Sequence, residues 1–165
     1  MYTRIVVPLD GSELAEWALP HGEELARVIG VPMHFIRVVD VVATAGFPVA
    51  DFTYSDNLVF DARQSEERAA ADYLARLREC YADRKFLVTV ERRIGRVTEE
   101  LLAAARDGDL YVMASHGRGG VSRWFLGSVA EELTRHSRVP VMVIRAQTAK
   151  RRHAVPIPHV AAHRR

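Results

Sequence analysis

Cysteine is almost missing from this chain: Cys80 is the one thiol in 165 residues. A single thiol makes no internal disulfide and no cysteine zinc cluster. Cys80 falls in a helical pattern, so its expected role is that of a small hydrophobe, buried or half-buried. Long apolar runs are missing as well. None approaches the roughly 18 residues of a membrane-spanning helix, and no basic segment followed by an apolar stretch stands near Met1. The expectation is a cytoplasmic protein without a membrane partner. Aromatic residues are sparse at 8%, yet 48% of the chain is hydrophobic and 27% charged. That balance excludes a disordered chain and fits one domain with a single core.

A strong excess of one charge is also lacking. The formal net charge is +2, and its source is the end of the chain, where Lys150, Arg151, Arg152, Arg164 and Arg165 follow Ala149 without an acid. Without those five, 18 basic residues face 21 acidic ones and the body stands at −3. A body built to hold nucleic acid would be basic, so no nucleic-acid partner is expected. Residues 147–165 read as a poorly ordered basic tail behind a domain of residues 1–146. Several signatures are missing too. There is no G-x-x-x-x-G-K-[ST], no G-x-G-x-x-G after the first strand and no G-x-S-x-G, which excludes a P-loop NTPase, a dinucleotide fingerprint and a serine elbow. His153, His159 and His163 scatter through the tail without metal-ligand spacing. No catalytic residue and no metal ligand is assigned.

What is present is a regular alternation. Residues 5–9 form a β-branched run ending in Asp10-Gly11-Ser12, a strand followed by turn and cap signals. Ser12 opens a helix expected to reach Val28, kinked at Pro20 and ended by Gly30. Strands follow at 33–39, 86–90, 110–115 and 140–145, with helices at 61–83, 97–105 and 127–137. Residues 41–60 show neither period and hold the aromatics Phe47, Phe52, Tyr54 and Phe60; connections of that length are usually functional or mobile. The order β-α-β-α-β-α-β-α-β predicts an α/β fold: a single-domain, five-stranded parallel sheet, doubly wound with four helices. Ligands of such sheets sit beyond the C-terminal strand ends. The loops there start at Asp10, Asp40 and His116.

The third of these loops carries the clearest chemistry. Strand residues Val112, Met113, Ala114 and Ser115 run into His116, Gly117, Gly119 and Gly120, and Gly127-Ser128-Val129 opens a helix. Glycines let backbone N–H groups approach phosphate oxygens, and a helix N-terminus adds unpaired donors and a positive dipole end. The chain therefore reads as a phosphate or nucleotide binder. Ser128 read alone is equally an ordinary N-cap. Asp10 either accepts a ribose hydroxyl, holds Mg²⁺ through water, or satisfies the backbone of its own turn. His116 either contacts ribose or phosphate or is a packed loop histidine. Arg118 and Arg123 could counter phosphate charge.

Taken together, Val7-Pro8-Leu9-Asp10-Gly11-Ser12, Val38-Val39-Asp40, Gly108-Asp109-Leu110-Tyr111-Val112-Met113, Gly127-Ser128 and the closing run from Val139 to Ile144 resemble the universal stress protein family. The resemblance spans residues 2–145 and implies a Rossmann-like fold of the adenine nucleotide alpha hydrolase type. The family's ATP-binding branch carries Gly, two residues, Gly, nine residues, then Gly with Ser or Thr. Gly117 matches the second glycine and Gly127-Ser128 the close, while Ala114 replaces the first glycine. The resemblance implies ATP, with Mg²⁺ or Mn²⁺ as its companion. Pro8, Leu9 and Asp10 would flank the adenosine, with Asp10 on the ribose, and the Val38 backbone would meet adenine. Met113, Ala114 and Gly117 would line the site; Gly127, Ser128 and Val129 would take the phosphates. It also implies a homodimer in which Val141, Met142, Val143 and Ile144 pair with their copies, and a regulatory role in the stress response toward a partner protein the sequence does not name. A slow ATPase and a nucleotide-free dimeric partner-binding module are the alternatives.

Overall fold

The computed structural model describes residues 1–40, 55–116 and 127–146. Strand β1 (Arg4–Pro8) leads through the short α1 (Glu13–Glu16) and α2 (Leu19–Ile29) to β2 (Met33–Asp40). Helix α3 (Ser55–Cys80), β3 (Val88–Gly95) and α4 (Val97–Ala104) follow, then β4 (Asp109–His116), α5 (Ser128–His136) and β5 (Val141–Ala146). All strand pairs are parallel, in the order β3-β2-β1-β4-β5. The doubly wound α/β sheet expected from the alternation is the one observed.

Strand parity divides the core into two faces. Ile5, Val7, Met33, Phe35, Leu110 and Val112 pack against Leu19 and Ala26 of α2 and Tyr73, Leu74 and Leu77 of α3. Val6, Ile36, Tyr111 and Met113 point the other way, onto Leu101 and Ala104 of α4 and Ala130 and Leu133 of α5. Because both faces are covered, strand residues read as continuous apolar runs rather than alternating ones. Cys80, at the end of α3, is half-buried against the first face, as a small hydrophobe would be. Among the described residues no helix is long and apolar enough to cross a membrane.

Three boundaries differ from the sequence expectation. The helix expected over 12–28 is two helices. Ser12 does cap the first, its Oγ accepting from the Ala15 N–H at 3.1 Å, but α1 stops at Glu16 and α2 restarts at Leu19 with Pro20 in its first turn. There the missing proline N–H removes no helical bond, so the chain breaks before Pro20 instead of kinking at it. Helix α3 begins at Ser55, inside the stretch that showed no period. The aromatics Phe47, Phe52 and Tyr54 lie outside the described residues, as does the tail from 147 onward, while Phe60 stands 63% exposed on α3. Strand β3 starts at Val88 and runs on through Glu91, Arg92 and Arg93 to Gly95. An apolar run cannot reveal charged strand residues; here they sit on a sheet edge, where charge also discourages foreign pairing.

Those charges meet a polar seam. His34 is buried on β2, with Nδ1 2.7 Å from Thr89 Oγ1 and Nε2 3.1 Å from Glu91 Oε2. Glu91 also accepts from Arg93 Nε at 2.7 Å. Burial holds the His34 imidazole below its ordinary value, helped by the nearby Arg4 charge and opposed by Glu91. The unfolded chain therefore takes up a proton near the ordinary value of about 6.5 while the folded chain does not. Stability is expected to be full above that pH and to fall below it, at up to about 1.4 kcal/mol per pH unit, until the lower folded value is reached. Urea midpoints of the parent and a His34→Gln variant between pH 7.5 and 5 check this; parallel curves would sink it.

Candidate nucleotide site

The strand order reverses at β1: successive strands step outward through β2 and β3, then β4 returns to the opposite side. Such a reversal is where two loops leave in opposite directions and open a crevice. The pairing between β1 and β4 is short. β1 and β4 are in register at Arg4↔Asp109, Ile5↔Leu110 and Val6↔Tyr111, and no further. Beyond that, β1 stays with β2 to Pro8↔Ile36 and β4 stays with β5 to His116↔Ala146. Pro8 has no N–H to offer a ladder. The β1–β4 ladder thus ends before the C-terminal edge, and α1 packs against β4.

The residues predicted from sequence are placed around this edge as follows. Pro8 ends β1, partly exposed, and Leu9 is buried, its N–H donating to Ile36 O at 2.9 Å. Asp10 is exposed and its Oδ1 accepts from the Ser12 N–H at 2.8 Å, so one carboxylate oxygen serves the turn. Val38 is partly buried against the α4–α5 face near the end of β2, and Met113 is buried on that same face. His116 is the last residue of β4; its side chain, with Gly117, Arg118, Gly119, Gly120 and Arg123, lies outside the described residues.

Helix α5 begins at the same edge. Gly127, not Ser128, is its N-cap; Ser128 is the first helical residue and exposed, and the glycine has no side chain with which to cap this end. The reading of Ser128 as the N-cap is thereby corrected by one position. The first bond of the α5 ladder runs from the Glu131 N–H to Gly127 O at 2.9 Å. The N–H groups of Ser128, Val129 and Ala130 therefore precede the ladder and lack an acceptor within the helix. Among the described residues, a Cβ built on Gly127 meets nothing within 4 Å. Val129 turns inward against the α4–α5 face.

Ala114 is the departure from the glycine pattern, and strand parity decides what its methyl group does. Ala114 packs with Val112 and Ala15 against the α2–α3 face. The α5 N-terminus belongs to the opposite face, built with Val129 and Ala130. The methyl group is accordingly turned away from the N-terminus of α5.

Comparison with known proteins follows from this geometry. The model of the universal stress protein family matches residues 1–145. The chain belongs to the universal stress protein family. A universal stress protein of Methanocaldococcus jannaschii is 29% identical over 147 residues, which is 88% of this chain and 83% of that one. The solved universal stress protein UspA from Lactobacillus plantarum superposes with a TM-score of 0.70 at 23% identity, covering 87% of this chain and 98% of its own. A universal stress protein family protein from Arabidopsis thaliana, solved with AMP bound, gives a TM-score of 0.60 at 15% identity, over 88% of this chain and 93% of that one. At these identities the two solved structures show the shared fold, and the last shows an adenine nucleotide held by another universal stress protein.

Two residues of this edge had no assignment from sequence. Ser115 is a buried polar residue near the end of β4. Arg37 interrupts the apolar run of β2, and that interruption was the available signal. Its guanidinium lies 5.2 Å from the Tyr73 ring centroid and beside Gly11.

Proposed function

We propose that this universal stress protein binds ATP in the β1–β4 crevice and serves as a cytoplasmic regulatory module of the stress response. The observation that carries this reading is the N-terminus of α5, which begins at a glycine N-cap at the edge where the β1–β4 ladder ends. The N–H groups of a helix's first turn and its dipole favour an anion there. Pro8, Leu9 and Asp10 would flank the adenosine, with Asp10 on a ribose hydroxyl and the Val38 backbone on adenine. Met113, Ala114, His116 and Gly117 would line the site, and Gly127, Ser128 and Val129 would take the phosphates, with Mg²⁺ or Mn²⁺ as counter-ion. The orientation of the Ala114 methyl supports ATP despite the altered motif. AMP in a family member supports the adenine class.

The same reading includes a homodimer through β5. The two sheet edges differ in kind: β3 carries Glu91, Arg92 and Arg93, whereas β5 offers Val141, Met142, Val143 and Ile144, with Met142 39% exposed. An apolar edge strand invites pairing with a second chain.

Chromatography of what the purified protein releases on denaturation, followed by calorimetric titration with Mg-ATP, tests the nucleotide. The expected result is bound adenine nucleotide or a submillimolar Kd. An empty protein without saturable binding of ATP, ADP or AMP overturns the reading.

A further inference from the structure

Beneath the β1–α1 turn lies a group of side chains from three separate elements. The register Pro8↔Ile36, with Leu9 N–H bonded to Ile36 O, sets Arg37 level with the end of β1. Ile36 faces α4 and α5, so Arg37 emerges on the α2–α3 face, and its guanidinium stacks over Tyr73 of α3 at 5.2 Å. The buried Tyr73 donates its hydroxyl to Glu16 Oε1 of α1 at 3.0 Å. Burial, with the Glu16 charge, raises the phenol far above its ordinary value, so it remains a donor. Above this stack sits Gly11, at φ +86°. A Cβ there would stand 3.0 Å from Arg37 Nη1 and 3.4 Å from its central carbon. The guanidinium is thus the floor on which the turn rests, and only a residue without a side chain combines that φ with that approach.

The turn carries Asp10, whose Oδ1 is already bound to the Ser12 N–H. Arg37 reaches the turn from the face opposite the α5 N-terminus, so it acts through Gly11. We infer that Arg37, held against Tyr73, whose hydroxyl is in turn fixed by Glu16, is a positioning residue that sets the Asp10 carboxylate for a ribose hydroxyl, and so gives the site its preference for ribo- over deoxynucleotides. This rests on the nucleotide reading above. A planar, always charged group stacked on an aromatic ring is a rigid support, as a flexible lysine would not be.

The test compares ATP with its 2′-deoxy and 3′-deoxy analogues on the full-length parent, Arg37→Ala and Asp10→Ala. A carboxylate–hydroxyl bond should give the parent about a tenfold preference for ATP over one analogue. Arg37→Ala is expected to bring that ratio toward one, as Asp10→Ala does, with affinity for the deoxy analogue changed less than about threefold. A merely structural Arg37 would lower the melting temperature and leave the ratio intact, which overturns the inference. Arg37→Met keeps the aliphatic stem on Tyr73 and serves if alanine unfolds the chain. Amide hydrogen exchange without nucleotide supplies an independent arm. Exchange at Ser12 should rise about tenfold in Arg37→Ala while Leu9, bonded to Ile36, does not change. Unchanged Ser12 exchange overturns the brace, whereas a parent that binds no adenine nucleotide overturns the function reading and leaves the exchange arm to judge Arg37.

Discussion

Arg4→Ala is expected to lower the stability of this protein by about 3–5 kcal/mol, because it strands a buried carboxylate. Asp109 is 1% exposed, and Arg4 donates to both of its oxygens, Nε to Oδ1 at 2.8 Å and Nη2 to Oδ2 at 2.6 Å. The Arg106 N–H donates to Oδ2 at 2.9 Å, but one amide does not neutralise a charge. The pair lies across the Arg4↔Asp109 register, where β1 and β4 are still joined below the crevice. Its geometry is bidentate and largely shielded from water, the arrangement in which a guanidinium matches a carboxylate best. The exposed pairs Arg27–Glu24 and Arg96–Glu99 are different: both partners are more than half exposed, and such pairs contribute about 0–1 kcal/mol. The buried pair need not be worth its loss. Most of the deficit comes from the carboxylate left alone, so Arg4→Met with Asp109→Leu is expected to recover the greater part of it. Urea unfolding followed by circular dichroism, with the slope held constant, measures both. A deficit below about 1 kcal/mol for Arg4→Ala would mean that water reaches Asp109.

Gly127→Glu is expected to weaken ATP binding about 100-fold, equivalent to about 2.7 kcal/mol, without lowering stability. Gly127 has φ −52° and ψ 149°, which any L-residue adopts, and a Cβ there meets nothing within 4 Å. The fold therefore accepts a side chain at this position. A carboxylate at the N-terminus of α5 even favours the helix, by about 0.3–1 kcal/mol. It does so by occupying the field and the N–H groups of Ser128, Val129 and Ala130 that a phosphate would use. Gly127→Ala adds bulk without charge and should bind ATP nearly as the parent does. Calorimetry with Mg-ATP and thermal melts of the three proteins separate the effects. Equal affinity in Gly127→Glu would refute phosphate binding at α5, while membership of the universal stress protein family would stand.

Much of this site was legible in the residues. Glycine at 11 and serine at 12 are turn and cap signals, and each does what its local chemistry dictates. Gly127 and Ser128 announce a helix start, although the cap belongs to the glycine. Where reading failed, the cause was a period that local sequence does not carry. Glu91, Arg92 and Arg93 look like a loop and form an edge strand, because they pair with Ile36, Arg37 and Val38 of β2, far back in the chain. Pro20 looks like an interior kink and sits in a first turn, because α1 stops at Glu16 and α2 restarts at Leu19.

Alternation of runs and breakers was sufficient for the order of the strands and for the helical connections between them, since these follow from backbone periods and short-range sterics. Tertiary structure alone decided three things. It chose which strands adjoin at the reversal, so that the crevice opens between β1 and β4. It turned the Ala114 methyl away from α5. And it brought Arg37, Tyr73 and Glu16 together under Gly11. Parity along a strand is local, but which helices cover each face and which residue stands beneath a turn depend on crossovers between segments far apart in the chain. No window of sequence contains both partners of such a contact.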